Sequence, residues 1–234
     1  MSTNGRSCLN LAGGSFGFSA VWWSPEHWGL LPTSTLSGSS SLSAAFAPKS
    51  FSTLKEGVEC MTGTGIQFRE VLSLDQATKA SLVSLLVRVV NDGAAVGFLA
   101  PLDPNAAEAY WARLPRTDAR LIVASVGGTV VGTAQVHLAG QANGRHRAEV
   151  AKVLVDPSWR RQGIGRAIIA QAEEVARSHG RTTLILDTRE GDPSNQLYRT
   201  SGWREIGRIP EYARSSTGEL HATVIYAKWD EPKA

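Results

Sequence analysis

One stretch of this chain has the makings of an anion cradle. From Val153 to Ala167 it reads Val-Leu-Val-Asp-Pro-Ser-Trp-Arg-Arg-Gln-Gly-Ile-Gly-Arg-Ala. An apolar run leads into a basic, glycine-containing turn, and Ile164, Ile168, Ala172 and Val175 then recur at helical spacing. Gly163 and Gly165 let a backbone approach a ligand closely, and the free amides at a helix start favour an anion. Arg160, Arg161 and Arg166 add positive charge at the same point. These features suit a pyrophosphate. Two glycines alone would serve equally well in a plain strand-to-helix turn with solvated arginines. A dinucleotide fingerprint is excluded because Ile168 stands where the third glycine belongs, and a nucleotide P-loop because no Lys-Ser/Thr follows Gly165.

The elements that must hold this turn can be read from patterning. Ile66–Leu72 reads as a strand. Asp75 caps a helix running through Val90, with Leu82, Leu85, Leu86 and Val89 on one face and Gly93 after its end. Pro104 starts a helix over Ala106–Leu114. Leu121–Val126 and Val130–Leu138 form a hairpin around Gly127-Gly128-Thr129. Ala148–Val155 is apolar on both faces and therefore central. A helix over Gly163–His179, a strand over Thr183–Asp187, a helix over Ser194–Ser201 and strands over Trp203–Arg208 and Ala222–Lys228 complete the order. That order predicts one mixed α/β domain, not a doubly wound sheet.

Composition narrows the class. With 234 residues, 42% of them hydrophobic, the chain can bury a core unaided. No apolar run approaches the roughly 20 residues that cross a bilayer, and a net charge of +3 is too small to suggest a nucleic-acid binder. Cys8 and Cys60 cannot form a disulfide framework or a Cys-based zinc site, and no metal is expected. Residues 1–60 differ from the rest: they hold both cysteines, Trp22, Trp23 and Trp28, and a Ser/Ala/Gly/Leu run from Leu36 to Ala47. They match neither a secretory signal nor an Arg-rich transit peptide. We expect a disordered leader or upstream extension over 1–60, a working domain over 61–234 starting at Met61, and a cytoplasmic location.

Arg160-x-x-Gly163-x-Gly165 resembles motif A of the GCN5-related N-acetyltransferase (GNAT) superfamily. Leu197-Tyr198-Arg-Thr-Ser-Gly202-Trp203 is similar to the L-Y-x-x-x-G-F that ends these domains. Further segments resemble the tabtoxin-resistance acetyltransferase branch: Val96-Gly-Phe98, Arg147-Ala-Glu-Val-x-Lys152, Leu186-Asp-Thr188, Gly207-x-Ile-Pro-x-Tyr212 and Thr223-Val-Ile-Tyr226. The likeness runs from about Ile66 to Trp229. It implies a mostly antiparallel twisted sheet with a splayed central parallel pair and flanking helices. It also implies acetyl-CoA, its pyrophosphate on the amides of Arg161, Gln162, Gly163, Ile164, Gly165 and Arg166, with Arg160 and Ala167 flanking them. The pantetheine arm would pair with Lys152 to Val155, that is along Val153, Leu154 and Val155. Many members carry Asn seven residues before the tyrosine; Gly191 stands there, and Asn195 is the substitute candidate for that contact.

Amide formation from acetyl-CoA needs a neutral amine, an oxyanion donor and a proton for the thiolate. Glu149 interrupts an apolar run, and Asp187 ends Leu184-Ile-Leu186. A carboxylate in such a setting is paired or useful: Glu149 could bridge to Arg147 or Lys152, and Asp187 could cap the next turn. The resemblance implies that both act as amine base or substrate anchor. Tyr198 is the candidate acid for the thiolate, or else a core tyrosine. An amide near Leu154 or Val155 would face the oxyanion if a bulge freed it. His137, His146, His179 and His221 read as solvated. Val96, Gly97, Phe98 and Tyr212 are expected to line the acceptor pocket. The leading expectation is direct transfer to a small amino-acid-like amine, possibly a toxin or antibiotic, by a monomer or homodimer. Alternatives are a protein lysine or N-terminal acetyltransferase and a non-catalytic acyl-CoA-binding module.

Overall fold

The structure, a computed structural model, describes residues 60–61 and 65–230. The leader expected over 1–60 lies outside the described residues except at its end, where Cys60–Met61 (β1) pairs with Gln67–Val71 (β2) at the sheet edge. The expected boundary between 60 and 61 thus falls inside a strand.

The first two helices begin where a side-chain cap dictates. Asp75 accepts from the Thr78 amide (2.7 Å) to start α1, Gln76–Asn91. Asp103 accepts from Asn105, and Pro104 takes the first position of α2, Pro104–Trp111. β3 (Ala119–Val126) and β4 (Thr129–Leu138) are joined through Gly127 and Gly128, both at positive φ. Only glycine takes two such residues in succession without strain. β5 (Arg147–Val155), α3 (Ile164–Ser178), β6 (Thr183–Arg189), α4 (Pro193–Thr200), β7 (Arg204–Arg214) and β8 (Leu220–Trp229) follow. β7 runs six residues beyond the expected end at Arg208, through Pro210. It is an edge strand, where a missing N–H is tolerated.

The strands form one sheet in the order β1-β2-β3-β4-β5-β6-β8-β7. Every pairing is antiparallel except β5 with β6 at the centre. This is the mixed α/β architecture expected from the sequence. Two cores cover its two faces. Ile168, Ala172 and Ala176 of α3 pack on Val136, Val150 and Leu186, while Leu82, Leu85 and Leu86 of α1 pack with Trp111 on Leu121 and Val123. Each of those fully buried leucines contributes about 1.5–3 kcal/mol. Glu173 of α3 locks the first layer: it accepts from Trp203 Nε1 (2.9 Å) and from Lys228 Nζ (2.8 and 2.7 Å).

One irregularity decides where the site lies. Gln135 pairs with Ala151 and Thr133 with Leu154, so β5 carries one extra residue at Lys152–Val153. Lys152 takes φ 49° there. The bulge reverses the alternation: Ala148 and Val150 belong to the α3 core, yet Leu154 belongs to the α1 core. It lies at Lys152–Val153, ahead of the expected position at Leu154 or Val155, both of which pair with β4.

Candidate active site

β5 and β6 pair only at Arg147–Thr183, Ala148–Leu184 and Glu149–Ile185, then diverge. From Val150 onward the β6-facing edge of β5 has no strand partner. At the far end of β5, Asp156 caps a short 3₁₀ turn, Pro157–Trp159, and is itself held by Arg88. The chain then passes through Arg161 at φ 60° and Gly163 at φ 83° into α3. The first helical bond is Ala167 N–H to Gly163 O (3.0 Å). Among the described residues, nothing accepts from the six consecutive amides of Arg161, Gln162, Gly163, Ile164, Gly165 and Arg166. Six unpartnered donors at the start of a 15-residue helix are the arrangement that suits an anion.

The two glycines have different reasons. A Cβ at Gly163 would touch nothing within 4 Å, so its reason is the left-handed φ. A Cβ at Gly165 would lie 3.1 Å from Leu197 Cδ2 and 3.7 Å from Val155 Cγ2, so its reason is the close approach of α4 and, less tightly, of β5. The arginines also divide. Arg160 forms an ion pair with Asp92, and Arg166 donates to Thr200 O (2.9 Å) and Oγ1 (3.0 Å). Arg161 is exposed and among the described residues has no such partner, which leaves its guanidinium available beside the amides. Ile164 is buried and Ala167 half-buried beneath the turn. These residues fit a pyrophosphate, and Val153 to Val155 supply the neighbouring strand.

At the vertex of the splay sit the carboxylates. Glu149 and Asp187 alternate with residues of the α3 core, so both face the α1 side of the sheet. Burial raises the Glu149 pKa; the Asp187 charge adds to this and Lys152 opposes it. Asp187 accepts from Thr223 Oγ1 (2.9 Å), so it is not the N-cap considered from sequence. Tyr198 is buried against Tyr226 and Trp203, with ring centroids 5.6 and 6.2 Å away. Its hydroxyl has no hydrogen-bond partner among the described residues. Burial, then the Asp187 charge, pushes its pKa up and keeps it a proton donor.

Asn195 is a correction. Its Nδ2 donates to Arg189 O (2.8 Å) and Asp192 O (2.9 Å), and its Oδ1 accepts from Tyr226 OH (3.0 Å). It is buried and its donors are spent on closing the β6–α4 turn, so it does not substitute for the asparagine that Gly191 replaces.

Sequence reasoning passed over a polar cluster on the same face. His137 pairs with Glu149 across β4 and β5 and is half-buried, not solvated. Burial and the Lys152 charge lower its pKa, and its Nε2 hydrogen-bonds Gln135 Oε1 (3.0 Å). Gln135 in turn exchanges hydrogen bonds with Tyr110 OH (2.8 and 3.0 Å). Lys152 Nζ lies 5.8 Å from the Tyr110 ring and 6.0 Å from that of Phe98. The signal that could have found it was polar residues at alternate positions, Gln135 and His137, in an otherwise apolar strand. Gly97 and Phe98 close over Lys152, Val96 packs on the α1 core, and Phe98 meets Tyr110 edge-on at 5.3 Å. Tyr212 sits in a second bulge, beside Glu211 at φ 52°. Burial, with Asp187 and Glu149 nearby, raises its pKa to about 12. Lys152, Arg161 and Glu211 are the non-glycine residues at positive φ among those described, and all three border this site. Each such residue costs about 1–2 kcal/mol, strain that folded chains retain where function requires it.

The profile of the Acetyltransferase (GNAT) family matches residues 97–203. An IAA acetyltransferase of Azospirillum brasilense is 31% identical over 100 residues, 42% of this chain and 63% of that protein. A glucosamine 6-phosphate N-acetyltransferase of Trypanosoma brucei brucei is 35% identical over 79 residues, 33% of this chain and 52% of that one. The chain thus spans less than two thirds of either relative. The yncA protein of Salmonella typhimurium, solved with its cofactor acetyl-CoA, superposes with a TM-score of 0.60 at 18% identity, covering 73% of this chain and 96% of that one. That likeness is one of fold.

Proposed function

We propose, from the premise that this chain is a GNAT-superfamily acetyltransferase, that it moves an acetyl group from acetyl-CoA to the amine of a small, amino-acid-like acceptor. The observation that carries the reading is the run of unpartnered amides from Arg161 to Arg166 at the start of α3. When bound, acetyl-CoA supplies the acyl group and the departing thiol. The amides of residues 161–166 hold its phosphates, and the open edge of β5 beyond Glu149 offers backbone groups to its arm and to the acyl oxygen. Glu149, less acidic than an ordinary carboxyl, takes the proton of the incoming amine, and Asp187 on the other arm of the splay anchors it. Tyr198, protonated and unpaired, delivers a proton to the sulfur. The described domain from β2 to β8 has no Cys, so transfer is direct in a ternary complex.

Two ties support a small acceptor over a protein lysine or N-terminus. Ala100 N–H donates to Ser216 Oγ (2.7 Å), joining the α1–α2 loop to the β7–β8 turn. Arg189 donates to Gly93 O (3.3 Å), joining the same loop to the end of β6. Together they fence the acceptor side. The likeness to the tabtoxin-resistance branch, with its Val96–Phe98 and Tyr212 segments, favours an acceptor of the toxin or antibiotic kind. No helix among the described residues is long and apolar enough to cross a membrane; a cytoplasmic enzyme is the reading we adopt. The test is an amine panel followed by thiol release from acetyl-CoA. Turnover of a small amine supports the reading; turnover confined to peptides would replace it.

A further inference from the structure

We propose that Lys152 is the docking point for a carboxylate of the acceptor, which makes that acceptor a free amino acid or a close analogue and not a simple amine or a peptide. The inference rests on the acetyltransfer reading above and names its substrate class.

The argument starts from an ammonium group that lacks an anion. Lys152 lies at the β5 bulge, in a backbone conformation that side chains other than Gly, Asn and Asp seldom take. That turn of the chain places its side chain under the α1–α2 loop. Nζ lies over the Phe98 and Tyr110 rings, and a Cβ added at Gly97 would stand 3.4 Å from it. Among the described residues no carboxylate comes within 4.0 Å of it and no acceptor within hydrogen-bond distance. By contrast, the part-buried Lys228 is answered by Glu173, and the buried Asp156 by Arg88. A half-buried cation without a counter-ion is costly. Burial accordingly depresses its pKa, against the pull of Glu149 and Asp187.

The groups that face Lys152 are Phe98 and Tyr110 from the loop and α2, His137 and Gln135 from β4, and the two carboxylates across the splay. His137 and Gln135 are satisfied by one another and Tyr110. The unmet demand is one negative charge at Nζ, with two carboxylates nearby to receive an amine. That is the complement of a zwitterion. A simple amine leaves the ammonium unanswered, and a residue within a peptide has its α-carboxyl tied up in an amide bond. Gly97 is held at φ 83°, a conformation that favours glycine, and a Cβ there would stand in ordinary contact with Nζ at 3.4 Å.

The experiment uses the full chain and thiol release from acetyl-CoA. Acceptors are offered in matched sets: free amino acids, their carboxamides and their decarboxylated amines. The wild type is expected to favour the free acid by at least about tenfold in kcat/KM, as for a charge-assisted contact. Lys152→Met, which keeps length and loses charge, should bring the set close to parity by raising KM for the acid. Lys152→Arg should recover part of the preference. CoA affinity, read by calorimetry, should be the same in all three. A wild type without preference, a preference that survives in Lys152→Met, or turnover of amines with none of any free acid overturns the inference and leaves the acetyltransferase standing. A wild type that fails to bind CoA overturns the acetyltransfer reading and this inference with it. Because the first outcome is read on the wild type, the inference stays testable even if a variant fails to fold.

Discussion

Replacing Gly163 by Asp and by Asn separates charge from backbone in the proposed phosphate site. Gly163 sits at φ 83°, and a Cβ there meets nothing within 4 Å, so neither side chain clashes. Asn and Asp tolerate the left-handed region best among non-glycine residues and should share a penalty of about 1 kcal/mol in folding. What differs is one negative charge, taken for the arithmetic as about 6 Å from a phosphate charge. At an effective dielectric between 20 and 80 that separation gives roughly 0.7–2.8 kcal/mol per phosphate charge, and a pyrophosphate carries two. CoA should therefore bind Gly163→Asp at least about tenfold more weakly than Gly163→Asn, while the two variants melt together. Calorimetric titration at low and high salt reads the difference, which should shrink as salt screens it. Equal CoA affinity in the two variants would refute the assignment of the phosphates to this turn.

Three further outcomes follow from the same geometry. Tyr198→Phe should lower kcat by about a hundredfold or more; because the hydroxyl has no partner among the described residues, melting temperature and CoA affinity should hold, and undiminished kcat removes Tyr198 from the chemistry. Glu149→Gln should erase the acidic limb of the pH–rate profile and also stabilise the fold at neutral pH. The folded-state pKa of Glu149 is raised, so its stabilising effect is present below the unfolded value and lost as pH rises through the folded one; the gain in melting temperature should vanish near pH 4, and a variant less stable than wild type at pH 7 contradicts the burial argument. Glu173→Ala strands Lys228 and Trp203 Nε1 and should cost about 3 kcal/mol in denaturant unfolding with CoA affinity retained; a loss under 1 kcal/mol would show that this cluster does not hold α3 to the sheet.

Local chemistry made most of the frame legible. Asp75, Pro104 and the Gly127-Gly128 pair act on their own neighbours, and each stands where its type suggests. The central strand was readable because Ala148–Val155 is apolar on both faces, and the turn before α3 because Gly163 and Gly165 lie two residues apart in sequence. What escaped depends on partners distant in the chain. Arg160 and Arg166 look free until Asp92, 68 residues away, and Thr200, 34 residues away, are brought beside them. His137 looks like a solvated strand end until its cross-strand neighbour proves to be Glu149. The bulge at Lys152 is a property of β4 and β5 paired together, and no residue in either strand announces it. Asn195 had the right type for a cofactor contact, but the Tyr226 hydroxyl and two carbonyls reach it first.

The proposed site depends on six backbone amides that would grip two phosphates, and a crystal structure of the chain with CoA tests that directly. Pyrophosphate oxygens within hydrogen-bond distance of the amides between Arg161 and Arg166, with the arm lying along Val153 to Val155, is the result expected. Density for the cofactor anywhere else on the molecule, with that turn left bare, would contradict the account.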